Sequence, residues 1–284
     1  MDRNRHDILV DGNSLYSYYG LIPTTRPYIE PPSVKTNKIE IPGANGEIDL
    51  TENLTGYPLY NRRIGSWEFI ISPGDWGPAD VNNRIVLPRS REDSYYAWLD
   101  KYNYLMSYIN GREHTIELAD SIYPDTDEDY GYFYKGRLTV KAYKPGNKYS
   151  TVTIDYDLDP FRYSNKLRSK TFDVNYSELT EIGSIGFSDF LMYANYFIPD
   201  NPEISGSSQH LSLPAHPTIT VWPDDVAKPI EIGFVNTELN MNRSEIFGEG
   251  VHEAYRFTLS AAGGNKFYAK GKGRIKIEWR NRAL

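Results

Sequence analysis

The apolar residues of this chain recur at every second position, in short runs bounded by turn-forming residues. Lys38-Ile39-Glu40-Ile41 alternates, and Trp67-Glu68-Phe69-Ile70-Ile71 sets Trp67, Phe69 and Ile71 on one face. His114-Thr115-Ile116-Glu117-Leu118 repeats the pattern. A period of two is that of half-buried strands, and it excludes a helical bundle. Longer strands are expected over 132–143 and 149–157, with a hairpin turn at Lys144-Pro145-Gly146-Asn147-Lys148 between them. One segment breaks the rhythm. From Tyr95 on, Trp98, Leu99, Tyr102, Leu105, Met106 and Ile109 follow the three-and-four spacing of an amphipathic helix. Asp93 and Ser94 offer caps at its start, and Gly111 offers a left-handed end. A single helix among strands, without repeating strand–helix–strand units, makes the fold class mainly β, with a β-rich α+β N-terminal part.

At 284 residues the chain exceeds the usual single domain. Asp155-Tyr156-Asp157-Leu158-Asp159-Pro160 ends in a proline, and a polar stretch over 164–170 follows. That places a boundary between domains 1–163 and 164–284. The second domain shows short strands at 171–174, 218–222, 230–235, 254–260 and 274–279, with a turn at Ala261-Ala262-Gly263-Gly264-Asn265. Short strands with turn signals and no helical period argue for a β-sandwich.

Charge and composition narrow the function. The chain has no cysteine, so it lacks a disulfide framework, a thiol nucleophile and thiolate metal sites. No apolar run exceeds strand length, which argues against a membrane partner. The charged start Met1-Asp2-Arg3-Asn4-Arg5-His6-Asp7 leads into only Ile8-Leu9-Val10, too short for a signal-peptide core, so synthesis in a cytoplasm is expected. Acidic residues outnumber basic ones up to Tyr163 and nearly balance them afterwards, which disfavours nucleic-acid binding by the surface. The 24 tyrosines, by contrast, suit sheets and protein interfaces.

No chemical constellation argues for an enzyme, a cofactor or a metal. In Asp125-Thr126-Asp127-Glu128-Asp129 the glycine and glutamate of a calcium loop fall at the wrong positions, so a solvated loop is the better reading. His252-Glu253-Ala254-Tyr255-Arg256 has Arg256 where a zinc-protease helix needs its second histidine. His210 and His216 have no third ligand in sequence reach. There is no phosphate-binding glycine pattern and no nucleophile elbow. Near the end, Lys266, Lys270, Lys272, Arg274, Lys276, Arg280 and Arg282 face the single acid Glu278. This is either a wet strand face that answers the acids of its own domain or a docking surface for an acidic partner.

The segment Ile41-Pro42-Gly43-Ala44-Asn45-Gly46-Glu47-Ile48-Asp49-Leu50-Thr51-Glu52, with Leu54-Thr55-Gly56-Tyr57-Pro58-Leu59-Tyr60-Asn61-Arg62-Arg63, resembles the distal tail protein of siphophages of Gram-positive hosts. Leu105-Met106-Ser107-Tyr108-Ile109-Asn110-Gly111, Tyr132-Phe133-Tyr134-Lys135-Gly136-Arg137-Leu138 and Thr153-Ile154-Asp155-Tyr156-Asp157-Leu158-Asp159-Pro160 agree with that family in order and spacing. The likeness covers most of residues 1–163. Ala44 and Asn45 stand where the family has an Arg-Asp pair, so it implies no charged contact there.

The resemblance implies an N-terminal ring-forming domain and a C-terminal galectin-like β-sandwich. It implies a ring of copies of this chain, a hexamer, that joins the tail tube protein to tail-tip, tail-associated or receptor-binding proteins in the virion, without catalysis. The matching positions it makes assembly residues are Ile41, Pro42, Gly43, Gly46, Ile48, Asp49, Leu50, Thr51, Leu54, Thr55, Asn61 and Arg62. Read physically, Ile48, Leu50 and Leu54 stud an arm too polar to form its own core, which suits a neighbouring subunit. An ordinary hairpin packed on its own domain is the other reading. Two further functions stay open: a carbohydrate-binding adsorption module and a cell-wall glycoside hydrolase. For the first, Trp222 is the candidate platform for a glycan or partner. It falls on the opposite parity from Ile219 and Val221, whereas Trp279 shares the face of Ile275 and Ile277 and reads as core.

Overall fold

A computed structural model describes residues 7–16, 18–40, 46–51, 58–71, 91–118, 131–144, 150–197, 205–261 and 264–284. Two units divide the chain, one from residues 1–122, 133–162 and 284, the other from 123–132 and 163–283. The expected hairpin turn at 145–148 and the acidic loop at 125–129 lie outside the described residues.

The first unit carries β1 (Ile8–Val10), β2 (Asn13–Ser14), β3 (Leu21–Pro23), β4 (Lys38–Glu40), β5 (Glu47–Asp49), β6 (Arg63–Ile71), helix α1 (Arg91–Tyr108) and β7 (Glu113–Leu118). Most of β8 (Tyr132–Val140) and the start of β9 (Ser150–Ile185) complete it. Hydrogen-bonded neighbours run β2-β1-β7-β8-β9-β6-β3. Alternation decides the buried face: Trp67, Phe69 and Ile71 of β6 pack in, with Val152, Ile154, Tyr156 and Leu158 of the antiparallel β9. Each such side chain contributes about 1.5–3 kcal/mol when fully removed from water. Leu105 of α1 and Ile109 just after it are fully buried against this core, and Leu99 and Tyr102 pack beside them. Met106, expected on the same face, stays exposed. Within the described residues the helix runs from Arg91, with Asp93 and Ser94 in its first described turn. Gly111 ends it with φ +76°, as its position promised.

The polar stretch over 164–170 is strand, not linker: β9 runs through Pro160 to Ile185. Its pairing with β6 ends at Leu158, so Pro160 removes no N–H from that ladder.

The second unit holds a 3-10 turn (Phe187–Phe190), β10 (Leu191–Phe197), β11 (Ser205–Leu211), β12 (Thr218–Pro223), β13 (Ile230–Asn236), β14 (Met241–Phe247), β15 (Gly250–Glu253) and β16 (Asn265–Ala283). β10 and β11 form their own antiparallel pair. β16 pairs with β13 through residues 265–270 and with β12 through 273–278. Where β16 changes partner, Gly271 and Gly273 take φ +134° and +141°, angles that side chains with a Cβ rarely adopt. Both halves of β16 keep one buried parity, and Phe267, Ala269, Ile275, Ile277 and Trp279 join Ile219, Val221, Ile230, Ile232 and Phe234 in one core.

The strand expected at 254–260 is absent. Ala254 is buried, Tyr255 and Arg256 are exposed, and Phe257, Thr258, Leu259, Ser260 and Ala261 are buried at successive positions, without alternation. A turn closed by Phe257 N–H donating to the Ala254 carbonyl (3.0 Å) and a lone bridge of Leu259 to Ala215 hold the segment.

Candidate assembly site

β4 and β5 form a two-stranded ribbon in which Lys38 pairs with Asp49, Ile39 with Ile48 and Glu40 with Glu47. Every residue of both strands is exposed. Lys38 Nζ reaches Glu47 Oε2 at 3.2 Å, and Leu50 N–H donates to the Asn37 carbonyl at 2.8 Å. Closer to the ribbon's base, Val34 bridges Tyr60, Lys35 N–H donates to the Leu59 carbonyl and Asn61 N–H to that of Ser33. A ribbon of two strands has no core of its own. Ile39 and Ile48 nevertheless sit directly across from each other, 50% and 46% exposed, and Val34 and Leu59 are exposed as well.

Two consecutive arginines fix the base. Arg62 donates from Nε to Asp157 Oδ1 (2.5 Å), from Nη1 to Asp159 Oδ1 (2.9 Å) and from Nη2 to the Asp157 carbonyl (2.8 Å). The hydrogen bond that Arg62 donates to Asp157 raises the Arg62 pKa. The buried Arg63 donates from Nε to the Pro160 carbonyl (2.8 Å) and from Nη1 to that of Glu30 (2.9 Å), with its guanidinium over Tyr134. Burial lowers its pKa from the usual arginine value. On the other strand's side, Glu30 N–H donates to Tyr156 Oη (3.0 Å) and Trp67 Nε1 to the Tyr28 carbonyl (2.8 Å). The Tyr156 ring packs against Trp67, centroids 4.5 Å apart and tilted by 32°, and its hydroxyl fills the space a Cβ at Gly65 would need. Both stems of the ribbon are therefore tied to the well-packed β6–β9 pair.

Gly46, Ile48, Asp49, Leu50, Thr51, Asn61 and Arg62 lie on this ribbon or at its base, while Ile41, Pro42, Gly43, Leu54 and Thr55 lie outside the described residues. Gly46 takes φ +118°. Asp49 Oδ1 accepts from Thr51 N–H at 2.9 Å, and hydrogen bonds from the Thr51 side chain and backbone hold its pKa below the usual carboxylate value. Asn61 Nδ2 donates to Ser33 Oγ at 3.0 Å, and Leu50 is half-buried. Sequence reasoning missed Ile39, Val34 and Leu59 as exposed members of the arm. Ile39 carried a signal, an isolated aliphatic between Lys38 and Glu40.

Trp222 is 39% exposed at the end of β12, and the Arg274 guanidinium, its partner in register, lies 5.0 Å from the ring centroid. One ring face is thus taken. Elsewhere on this wet face, Lys266 pairs with Glu181 (3.1 Å) and Lys276 with Glu278 (2.6 Å), and Arg280 donates to the carbonyls of Ser164 and Asn165. These basic residues are answered within their own unit. His216 Nδ1 and His252 Nε2 each lie 3.0 Å from a backbone carbonyl, of Phe257 and Gly248.

No family model and no curated protein matches this sequence. Among solved structures the fold is similar to the crystal structure of SPP1 Dit (gp 19.1), described as a paradigm of the hub adsorption apparatus in Gram-positive infecting phages. The superposition covers 98% of this chain and 99% of that one, with a TM-score of 0.50 at 14% sequence identity. The chain shares its fold with a distal tail protein, the family its sequence resembles.

Proposed function

We propose that this chain is a structural protein of a long non-contractile phage tail. Copies of it close into a ring, a hexamer by family resemblance, that joins the tail tube protein to tail-tip or receptor-binding proteins. The observation that carries this reading is the fold shared with SPP1 Dit along nearly the whole of both chains. The ribbon supports it independently. Ile39 and Ile48 are a ready-made apolar pair on an arm clamped at its base, and burial of each against a neighbouring copy contributes about 1–2 kcal/mol. In a closed ring that contribution recurs at every interface. Residues 164–284 act as a docking or spacing platform, and no bond-making chemistry is assigned to either unit.

The test is assembly. Electron-microscopy averages and light scattering across a concentration series, alone and with tube or tip proteins, are expected to show closed rings. Ile39→Asp with Ile48→Asp removes them while leaving the unfolding temperature in place. A protein that stays monomeric under every one of these conditions overturns the reading.

A further inference from the structure

In the second unit, β14 and β15 border a groove lined by Glu231, Glu245, Ile246, Val251, Glu253 and Arg256. Among the described residues β14 pairs only with β13 and β15 only with β12, so each keeps one edge of backbone donors and acceptors without a neighbouring strand. Large aliphatics stand at those edges: Ile246 is 70% exposed and Val251 69%. Proteins guard open edges with lysine, proline or very short strands. β15 is short, but β14 is seven residues long and has neither lysine nor proline. Its one basic residue, Arg243, is outside the groove.

The charge of the groove selects what can cover it. Three carboxylates face one guanidinium, and that guanidinium is engaged, with Arg256 Nη1 3.1 Å from Glu245 Oε1. Among the described residues Glu253 Oε1 accepts only a neutral hydroxyl, from Thr218 at 3.2 Å. Along β14 the parity separates two requirements. Glu245 shares its face with the buried Phe247, whereas Ile246 lies on the other face, opposite Glu231 of β13.

We propose that the open edge of β14 is a docking strand for an extended segment of another protein in which basic and aliphatic residues alternate. Strand addition satisfies the free backbone groups and sends successive side chains to opposite faces. A basic side chain then meets Glu245 on one face, and an aliphatic one covers Ile246 on the other. An acidic segment would set like charges beside Glu231 and Glu245. The surface belongs to the second unit alone and stands whether or not the ring reading holds.

Fluorescence anisotropy with the full chain and a labelled peptide alternating lysine with valine tests this. Saturable binding is expected, at least about tenfold weaker in Ile246→Ser and in Glu245→Gln, with no binding of a peptide alternating glutamate with valine. Amide exchange over 241–247 should slow when the basic peptide is bound. Ile246 is too exposed for its replacement to unfold the unit, so that variant decides if Glu245→Gln disturbs Arg256. Absence of saturable binding, equal binding of the acidic peptide, or an unchanged affinity in Ile246→Ser overturns the proposal.

Discussion

Asp11 Oδ2 lies 2.7 Å from Nδ1 of His114, a buried ring whose Nε2 faces the Ile109 carbonyl at 3.0 Å. Asp11 Oδ1 also accepts from the backbone and hydroxyl of Thr115, at 2.8 and 3.1 Å. One carboxylate, on a residue held at φ +50°, thus ties the turn after β1 to β7 and, through His114, to the end of α1.

Asp11 makes the first unit acid-sensitive. Burial pushes its pKa up, but hydrogen bonds from His114 and Thr115 outweigh that and hold it below the usual value. A depressed folded pKa means that the contribution is fully present above the unfolded value, roughly 3.9, and is lost as pH falls through the folded one. Asp11→Asn, at a carboxylate about half exposed and screened by water, is expected to cost about 1 kcal/mol or less at neutral pH and to flatten the loss of stability below about pH 4. Urea midpoints across that range measure both; a variant whose pH profile parallels the native one contradicts the assignment.

Gly273 should not tolerate even alanine. A Cβ there would lie 2.3 Å from the Trp222 carbonyl oxygen and 2.7 Å from the Pro223 Cα, both backbone atoms, at a φ that already favours glycine. Gly273→Ala is expected to destabilise the second unit by about 2–4 kcal/mol, from overpacking combined with backbone strain. Gly264→Ala, with open space around its Cβ, serves as the control. Comparable unfolding midpoints for the two variants would remove the bend in β16 as the cause.

Arg62 separates stability from assembly. Its ion pairs are substantially exposed, 46% at Arg62 and 52% at Asp157, and exposed pairs contribute only about 0–1 kcal/mol. Arg62→Ala should therefore barely move the unfolding midpoint yet loosen the ribbon and weaken ring formation. Arg63→Ala strips charged donors from the carbonyls of Pro160 and Glu30 and should cost about 1.5–3 kcal/mol. Equal midpoint shifts in the two variants would show that the arginines do not divide the work in this way.

The strands were legible where burial is one-sided. Trp67, Phe69 and Ile71, and likewise Ile275, Ile277 and Trp279, face the cores their parity indicates. Legibility failed where another force set the local structure. Residues 164–170 read as linker because their polarity marks a strand with little apolar cover; Ser164 supplies a carbonyl to Arg280, a partner far along the chain. The segment 254–260 read as strand because it is apolar, although Asn265 governs its end: the buried amide accepts from Ser260 N–H (3.0 Å) and donates to the Ser260 (2.8 Å) and Ile185 (3.1 Å) carbonyls. The ribbon was found from its glycine-rich motif, but its exposed Ile39–Ile48 pair depends on strand register, which the sequence does not state.

Residues 163–284 should fold without the rest of the chain. Val174 and Ile185 of β9 belong to the second unit's core, and the Arg280 contacts to Ser164 and Asn165 stay within such a fragment. Expressed alone, it is expected to be soluble and to unfold in one cooperative transition. An unfolded fragment beside a stable intact chain would place the boundary elsewhere.

Trp222 gives the sharpest choice between a platform and a sugar-binding module. Stacking on a pyranose needs an open ring face, and the Arg274 guanidinium already covers one, an exposed cation–π contact of about 0.5–1 kcal/mol. The register sets the two residues opposite each other on the β12–β16 ladder, so a ligand stacking on that face must first displace the guanidinium. Calorimetric titration with cell-wall saccharides is therefore expected to show no micromolar binding, with identical traces for the native chain and Trp222→Ala. Arg274→Ala bares the covered face, and indole emission should shift to the red as water reaches it. Micromolar saccharide binding that Trp222→Ala abolishes would reverse the conclusion, since the open ring face alone would then suffice and the adsorption reading would take precedence over the docking one.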